Sequence, residues 1–226
     1  LYRHLVNSPA VEPALWEAIN YWVVGRVPGV SWSEAQFAPC PAGVPRGTLR
    51  AGSPDGLEPD APWREADGCP SARVVLVLRN PVLRAHAHYY QGRSLGKIDR
   101  SWSEVVTEWL GAYADVPADE LRDVCGRGYI ADGVYLPGVR RWVESLPADR
   151  LLIVQSEHLF ERPSDALRQV STFLGLPEVP VISEPPAPRL DRFDTTIDPA
   201  TRRALEDYYR PHNDALERYL GRRFGW

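Results

Sequence analysis

Several residue types are scarce in this chain of 226 residues. Its three cysteines, Cys40, Cys69 and Cys125, are widely spaced, with no C-x-x-C pair and no histidine cluster beside them. This pattern argues against a metal site and a disulfide framework, and it favours a reducing, cytoplasmic compartment. No apolar run approaches the roughly 20 residues that cross a bilayer, so no membrane span is expected. No signal peptide is evident either.

Methionine is absent, and Lys97 is the single lysine among 26 basic residues. Together with abundant Ala, Pro and Gly, this composition indicates GC-rich coding, and we expect a bacterial protein. The net charge is −4 and the isoelectric point about 5.8, which argues against nucleic acid as a partner. The hydrophobic share of 44% is enough for one core, so a single domain is predicted over 1–226. Nothing in the sequence indicates an oligomeric state.

The patterns predict an α/β domain with a mainly parallel sheet. Two continuous apolar runs, 74–78 and 151–156, are typical of strands buried on both faces. A shorter strand is predicted near 48–51, and 12–22 is interpreted as a short helical or mixed segment. Helices are predicted at 31–37, 81–90, 102–112, 136–146, 164–176 and 199–220, with Gly175 as a C-cap. Strands that alternate with helices indicate helices packed on a parallel sheet.

The stretch "VVLVLRNP" ends a buried strand and begins a helix. Asn80 is the predicted N-cap and Pro81 the first helical residue. Ligands of open α/β sheets bind beyond the carboxyl ends of the strands, where a helix N-terminus favours an anion. Arg79 would add a planar guanidinium that matches phosphate or sulfate. The alternative is a structural arginine paired with an acidic neighbour.

The whole stretch "VVLVLRNPVLRAHAHYY" resembles the 3′-phosphate-binding segment of sulfotransferases that use 3′-phosphoadenosine 5′-phosphosulfate (PAPS). "GVYLPGVRRWVESLP" is similar to the G-x-Y helix of that family, and "LLIVQSEHLFERPSDALRQVSTFLGLP" to its strand, S-E-x-L turn and closing helix. "INYW", "GVSWSEAQF" and "LRAGSP" resemble segments of the heparan-type and bacterial branch. The resemblance implies a three-layer, P-loop-kinase-like fold. It also implies sulfuryl transfer to a hydroxyl or amine of a carbohydrate or small-molecule acceptor.

The resemblance implies four site residues. Arg79 would bind the 3′-phosphate, with help from the N–H groups of the following helix. Ala87 falls where relatives have a serine that contacts the same phosphate. Glu17 would be the base, one position from the family's glutamate, and a surface glutamate is the alternative. Arg192, or Arg189, would meet the 3′-phosphate from a loop before the last helix.

Two departures bear on activity. The family begins with a strand and a K-x-G-T-T loop for the 5′-phosphosulfate, and both would lie upstream of residue 1. Lys97 lies in the polar stretch "GRSLGKIDR" and is predicted to be a solvated surface lysine. A non-catalytic sulfotransferase fold that acts as a binding or scaffold module is therefore the alternative function. A nucleotide kinase is disfavoured because no G-x-x-x-x-G-K-[ST] motif is present.

Overall fold

The computed structural model describes residues 1, 4–5, 8–18, 46–49, 72–125, 128–182 and 196–226. Contacts group the chain into two compact units, Leu1–Leu78 with Arg141–Ser183 and Arg79–Arg140 with Glu184–Trp226. The single domain over 1–226 stays a prediction. The predicted helix at 31–37 lies outside the described residues.

The described strands, in chain order, are β1 (Glu12–Ala18), β2 (Arg46–Leu49), β3 (Val74–Leu78) and β4 (Leu151–Gln155). The helices are α1 (Pro81–Ser94), α2 (Trp102–Tyr113), α3 (Leu121–Cys125), α4 (Leu136–Ser145), α5 (Ser156–Glu161), α6 (Pro163–Leu174) and α7 (Pro199–Leu220). Within the described residues, no helix combines the length and the apolar character that a membrane crossing needs.

The first unit contains two parallel strand pairs, β1 with β2 and β3 with β4. The pair of β3 and β4 runs in regular register from Val74 opposite Leu151 to Leu78 opposite Gln155. Both strands are rich in β-branched and other apolar residues, which favour a pleated and largely covered surface. The two strands predicted with most support in the sequence are thus confirmed, and they pair in parallel as expected. The expectation that both faces of these strands are buried is wrong, because only Leu78 and Val154 are buried in them and Val77 is 42% exposed.

Strand β1 corrects the helical part of our interpretation of 12–22 as a short helical or mixed segment, and residues 19–22 lie outside the described residues. Its sequence, EPALWEA, is rich in Ala, Leu and Glu, which have good helix propensity. Pairing with β2 overrides that preference, as tertiary contacts often do. The register is irregular: Pro13 lies opposite Gly47, whereas Ala18 already lies opposite Leu49. The pairing of β1 with β2 therefore shifts its register between these two positions.

Helix α6 closes the first unit as the sequence predicts. It buries Ala166, Leu167 and Val170. The helix ends at Leu174, and the following Gly175 has the left-handed backbone conformation (φ 70°) of a C-cap. Gly175 is thereby confirmed as the C-cap of the helix predicted at 164–176.

In the second unit, helices α1, α2 and α7 contribute to one aromatic-rich core. Tyr89 and Tyr209 are the largest side chains fully buried in it, and Ile130 and Leu205 pack among them. Ser101 and Glu104 form a reciprocal capping box at the start of α2. Asp198 caps α7, and α7 continues through Pro211 to Leu220. These helices hold the segment between α3 and α4, which contributes to the site below.

Candidate functional site

Arg79 lies directly after β3, with an exposed side chain. Among the described residues no carboxylate forms an ion pair with its guanidinium. The alternative of a structural arginine held by an acidic neighbour therefore gains no support in this part of the chain. An exposed, fixed cation at the carboxyl end of a parallel strand suits an anionic ligand.

The N–H groups at the start of α1 are engaged by the helix's own cap. Asn80 Oδ1 accepts hydrogen bonds from Val82 N at 3.0 Å and Leu83 N at 3.2 Å, and Pro81 has no N–H. The predicted cap is confirmed, but it corrects the expectation that these N–H groups help to hold a phosphate. An anion at this junction would depend on the guanidinium of Arg79, with a smaller contribution from the helix dipole.

Ala87 lies in α1, half-buried and without a polar side chain. The structure places it on the same helix that Arg79 precedes. A serine at this position would add one hydroxyl to a helix that offers few free donors in its first turn. Its contact with a ligand stays a prediction.

Tyr135 reaches the junction from another part of the second unit. Its hydroxyl donates a hydrogen bond to the carbonyl oxygen of Arg79 at 2.8 Å. The side chain is 3% exposed, and its ring lies edge-on to Trp226 with 5.9 Å between centroids. Sequence reasoning did not single out Tyr135, although the stretch "GVY" contains it. The position of this tyrosine just before α4 was the available signal.

Gly133 in the same stretch is required by close packing. A Cβ at this position would lie 2.7 Å from the hydroxyl oxygen of Tyr209 and 2.9 Å from its ring. The Tyr209 hydroxyl donates to the carbonyl of Ile130 at 2.7 Å. The glycine therefore lets the tyrosine of α7 approach the turn that leads to Tyr135.

Arg84 ties α1 to that turn. Its guanidinium donates to the carbonyl oxygen of Tyr129 and lies 3.9 Å from a carboxylate oxygen of Asp132. The ring of His88 packs edge-on against Tyr129, with 4.7 Å between centroids. Burial, together with the positive charge of Arg84, lowers the pKa of His88, although Asp132 opposes the shift. Arg84 and His88 thus act as packing and orienting groups of α1.

His86 is a buried polar residue close to the junction. It is 7% exposed and packs edge-on against Tyr90 and Trp102, with centroid distances of 4.7 and 5.6 Å. Within the described residues its Nε2 atom has no hydrogen-bond partner. Burial lowers the pKa of His86, and the charge of Arg79 lowers it further. The ring is therefore neutral near neutral pH, and Arg79 is the cation of this site.

The other predicted residues are placed as follows. Glu17 lies in β1, within the stretch of irregular register between Pro13 and Ala18. Of the helical or mixed structure expected over 12–22, the helical alternative is wrong at Glu17, because the backbone there is extended. Arg192 and Arg189 lie outside the described residues. Lys97 follows α1 and is exposed, as predicted for a surface lysine.

Comparisons with known proteins bear on the family and the fold of this chain. The model of the sulfotransferase domain family matches residues 67–184, more than half of the chain. The bifunctional heparan sulfate N-deacetylase/N-sulfotransferase 2 of Bos taurus is 25% identical over 245 residues, which cover 96% of this chain and 27% of that protein. The heparan sulfate glucosamine 3-O-sulfotransferase 3B1 of Mus musculus is 24% identical over 206 residues, which cover 74% and 46%.

The chain thus spans less than half the length of these two relatives. A crystal structure of a sulfotransferase from Alicyclobacillus acidocaldarius superposes with a TM-score of 0.76 at 19% identity, and it covers 98% of this chain and 90% of that one. This likeness shows the fold and confirms the predicted α/β architecture of parallel strands and helices.

Proposed function

The chain belongs to the sulfotransferase family, and we propose that it transfers a sulfuryl group from PAPS to a hydroxyl or amine of a carbohydrate or small-molecule acceptor. The observation that carries this proposal is Arg79, exposed and without an acidic partner among the described residues at the end of β3. That position matches the R-[DN]-P motif through which relatives are expected to hold the 3′-phosphate of the donor.

The chemistry of the junction suits a phosphate. A guanidinium offers several donors in a planar fork, and a phosphate accepts them in pairs. Since Asn80 occupies two N–H groups of α1, the side chain of Arg79 should supply most of the binding energy for this phosphate. Arg192, which precedes α7 in the sequence, is proposed as a second cation, and Ala87 as a position that lacks one hydrogen bond to the phosphate.

The donor supplies an activated sulfuryl group when it is bound. The residues of the chain would then contribute orientation, charge stabilisation and the removal of one proton from the acceptor. We assign the removal of that proton to the carboxylate of Glu17. The shift of register between Pro13 and Ala18 supports this role, because a base one position from the family's glutamate needs a local irregularity of the backbone.

The acceptor is proposed by class only. The names of the relatives refer to heparan sulfate and glucosamine, which supports a carbohydrate. The net charge of −4 disfavours a strongly anionic polymer, so a smaller or neutral sugar fits better. A bacterial origin is supported by the composition and by the bacterial structural neighbour, and a cytoplasmic location rests on the spacing of the cysteines.

Calorimetry with adenosine 3′,5′-bisphosphate, the product of the donor, tests the proposal. Arg79→Ala should weaken binding by about 1.5–3 kcal/mol, the range for hydrogen bonds to charged groups. Arg73→Ala is the matched control, because Arg73 is also exposed but precedes the same strand. Equal affinity in the parent and the Arg79 variant would contradict the assignment.

Transfer of radiolabelled sulfate from PAPS to a panel of sugars, phenols and amines separates enzyme from binding module. We expect turnover with at least one sugar, and loss of it in the Arg79 variant. Binding of the bisphosphate without any transfer across the panel would favour the non-catalytic alternative, which no present observation supports.

A further inference from the structure

The carbonyl group of Arg79 lies outside the hydrogen bonds of α1. The helix begins its own ladder one residue later, where Arg84 N donates to the carbonyl of Asn80 at 2.9 Å. An unused carbonyl at the entrance to an anion site is unfavourable, because its negative end could turn toward the ligand. The hydroxyl of Tyr135 removes this possibility by donating to it at 2.8 Å.

Tyr135 is itself held firmly. Its side chain is buried, and its own carbonyl accepts a hydrogen bond from Val139 N at 2.9 Å, which starts α4. The turn before it is fixed to α1 by Arg84, which binds the carbonyl of Tyr129 and lies near Asp132. Tyr135 and α1 are therefore joined both at the beginning of the helix and one turn further along it.

We infer that Tyr135 is a positioning residue that sets the direction of the Arg79 side chain through its backbone carbonyl. A hydrogen bond to that carbonyl restricts rotation of the peptide unit between Arg79 and Asn80. This peptide carries the Cα of Arg79 on one side and the N-cap of α1 on the other. The inference rests on the proposed function, since it needs Arg79 to bind the 3′-phosphate.

The test compares two buried tyrosines that make the same kind of bond. Tyr135→Phe removes the hydroxyl that binds the Arg79 carbonyl, whereas Tyr209→Phe removes one that binds the Ile130 carbonyl at 2.7 Å. Both variants should lose similar stability in urea unfolding. Only Tyr135→Phe should weaken the binding of adenosine 3′,5′-bisphosphate. We expect its affinity to fall by about three- to tenfold, which corresponds to the net contribution of one hydrogen bond.

Two further measurements separate positioning from general loosening. Adenosine 5′-phosphate lacks the 3′-phosphate, so Tyr135→Phe should change its affinity by less than about twofold. In an Arg79→Ala background, Tyr135→Phe should weaken the binding of adenosine 3′,5′-bisphosphate by less than about a further twofold, because the two residues act through one interaction. If the phenylalanine variant does not fold, 4-methylphenylalanine and 4-aminophenylalanine at position 135 replace it. Only the second keeps a donor, and only it should retain the parent affinity.

The outcomes are distinguishable. Parent-like affinity for the bisphosphate in Tyr135→Phe overturns the inference while the role of Arg79 stands. The inference is also overturned if Tyr135→Phe lowers the affinity for both nucleotides equally. The same holds if its full loss of bisphosphate affinity persists in the Arg79→Ala background, since either result indicates a loosened structure. If Arg79→Ala itself binds like the parent, the proposed clamp fails and the inference fails with it.

Discussion

Tyr209 packs against Gly133 with no room for a methyl group between them: a Cβ at Gly133 would lie 2.7 Å from the tyrosine hydroxyl oxygen. The phenol is fully buried, and burial raises its pKa well above the ordinary value. The hydroxyl therefore stays protonated and donates to Ile130. This contact explains why the turn before Tyr135 contains a glycine, in terms of space rather than backbone conformation.

Gly133→Ala should destabilise the protein by about 1–3 kcal/mol, because a filled core must shift to accept the added methyl. The free energy of urea unfolding measures it. Gly111→Ala is the matched control: Gly111 lies in α2 with nothing within 4 Å of a Cβ, and alanine there should stabilise by about 0.5–1 kcal/mol. Equal stability of the Gly133 variant and the parent would contradict the packing argument.

Ala87→Ser should strengthen the binding of adenosine 3′,5′-bisphosphate by about 0.5–1.5 kcal/mol, the net contribution of one hydrogen bond. The reason is that Asn80 already occupies two N–H groups of α1, so an added hydroxyl meets little competition for the phosphate. Calorimetry checks it, with Ala112→Ser in α2 as the control for a serine on a helix. Weaker or unchanged binding would show that Ala87 does not face the phosphate.

Glu17→Gln should lower kcat of sulfate transfer by about 10²–10⁴-fold, the usual contribution of a general base, with little effect on bisphosphate affinity. The amide keeps the size of the side chain but accepts no proton at neutral pH. Glu12→Gln in the same strand is the control and should keep the parent rate. If the Glu17 variant has the same kcat as that control, Glu17 is not the base, and the alternative of a surface glutamate holds.

Stability should fall as the pH drops below about 6.5, partly because of His86. Burial and the charge of Arg79 hold the pKa of folded His86 below its ordinary value of 6.5, so the unfolded chain takes up a proton first as the pH falls. The stabilising contribution is complete above the unfolded pKa and is lost as the pH falls toward the folded one. His88 and His212, whose pKa values burial also lowers, add to the same slope.

His86→Phe should therefore flatten the rise of unfolding free energy between about pH 5 and pH 7.5. Phenylalanine keeps an aromatic ring against Tyr90 and Trp102 and removes the titrating group. Gln91→Ala, at an exposed position of α1, should leave the slope as it is in the parent. If the unfolding free energy of the His86 variant has the same pH dependence as that of the parent, the pKa of this histidine does not change on folding.

The parts of this protein that the sequence predicted well are those with local causes. The apolar run Val74–Leu78 specifies a strand by itself, and Asn80 followed by Pro81 specifies the start of a helix. The ordered motifs that resemble sulfotransferases likewise needed no structure, because they are contiguous stretches. The family and the α/β fold followed from them.

Strand β1 and the setting of Arg79 required the tertiary structure. The residues of β1 favour a helix when taken alone, and only pairing with β2, far downstream, makes them extended. The bond from Tyr135 to the Arg79 carbonyl joins residues 56 positions apart. A contact at that separation depends on how helices and turns pack, so it leaves no mark on local propensity or spacing. The sequence alone thus identified Arg79 as the cation at the end of β3. The packing of the second unit decided that its backbone carbonyl is hydrogen-bonded to Tyr135.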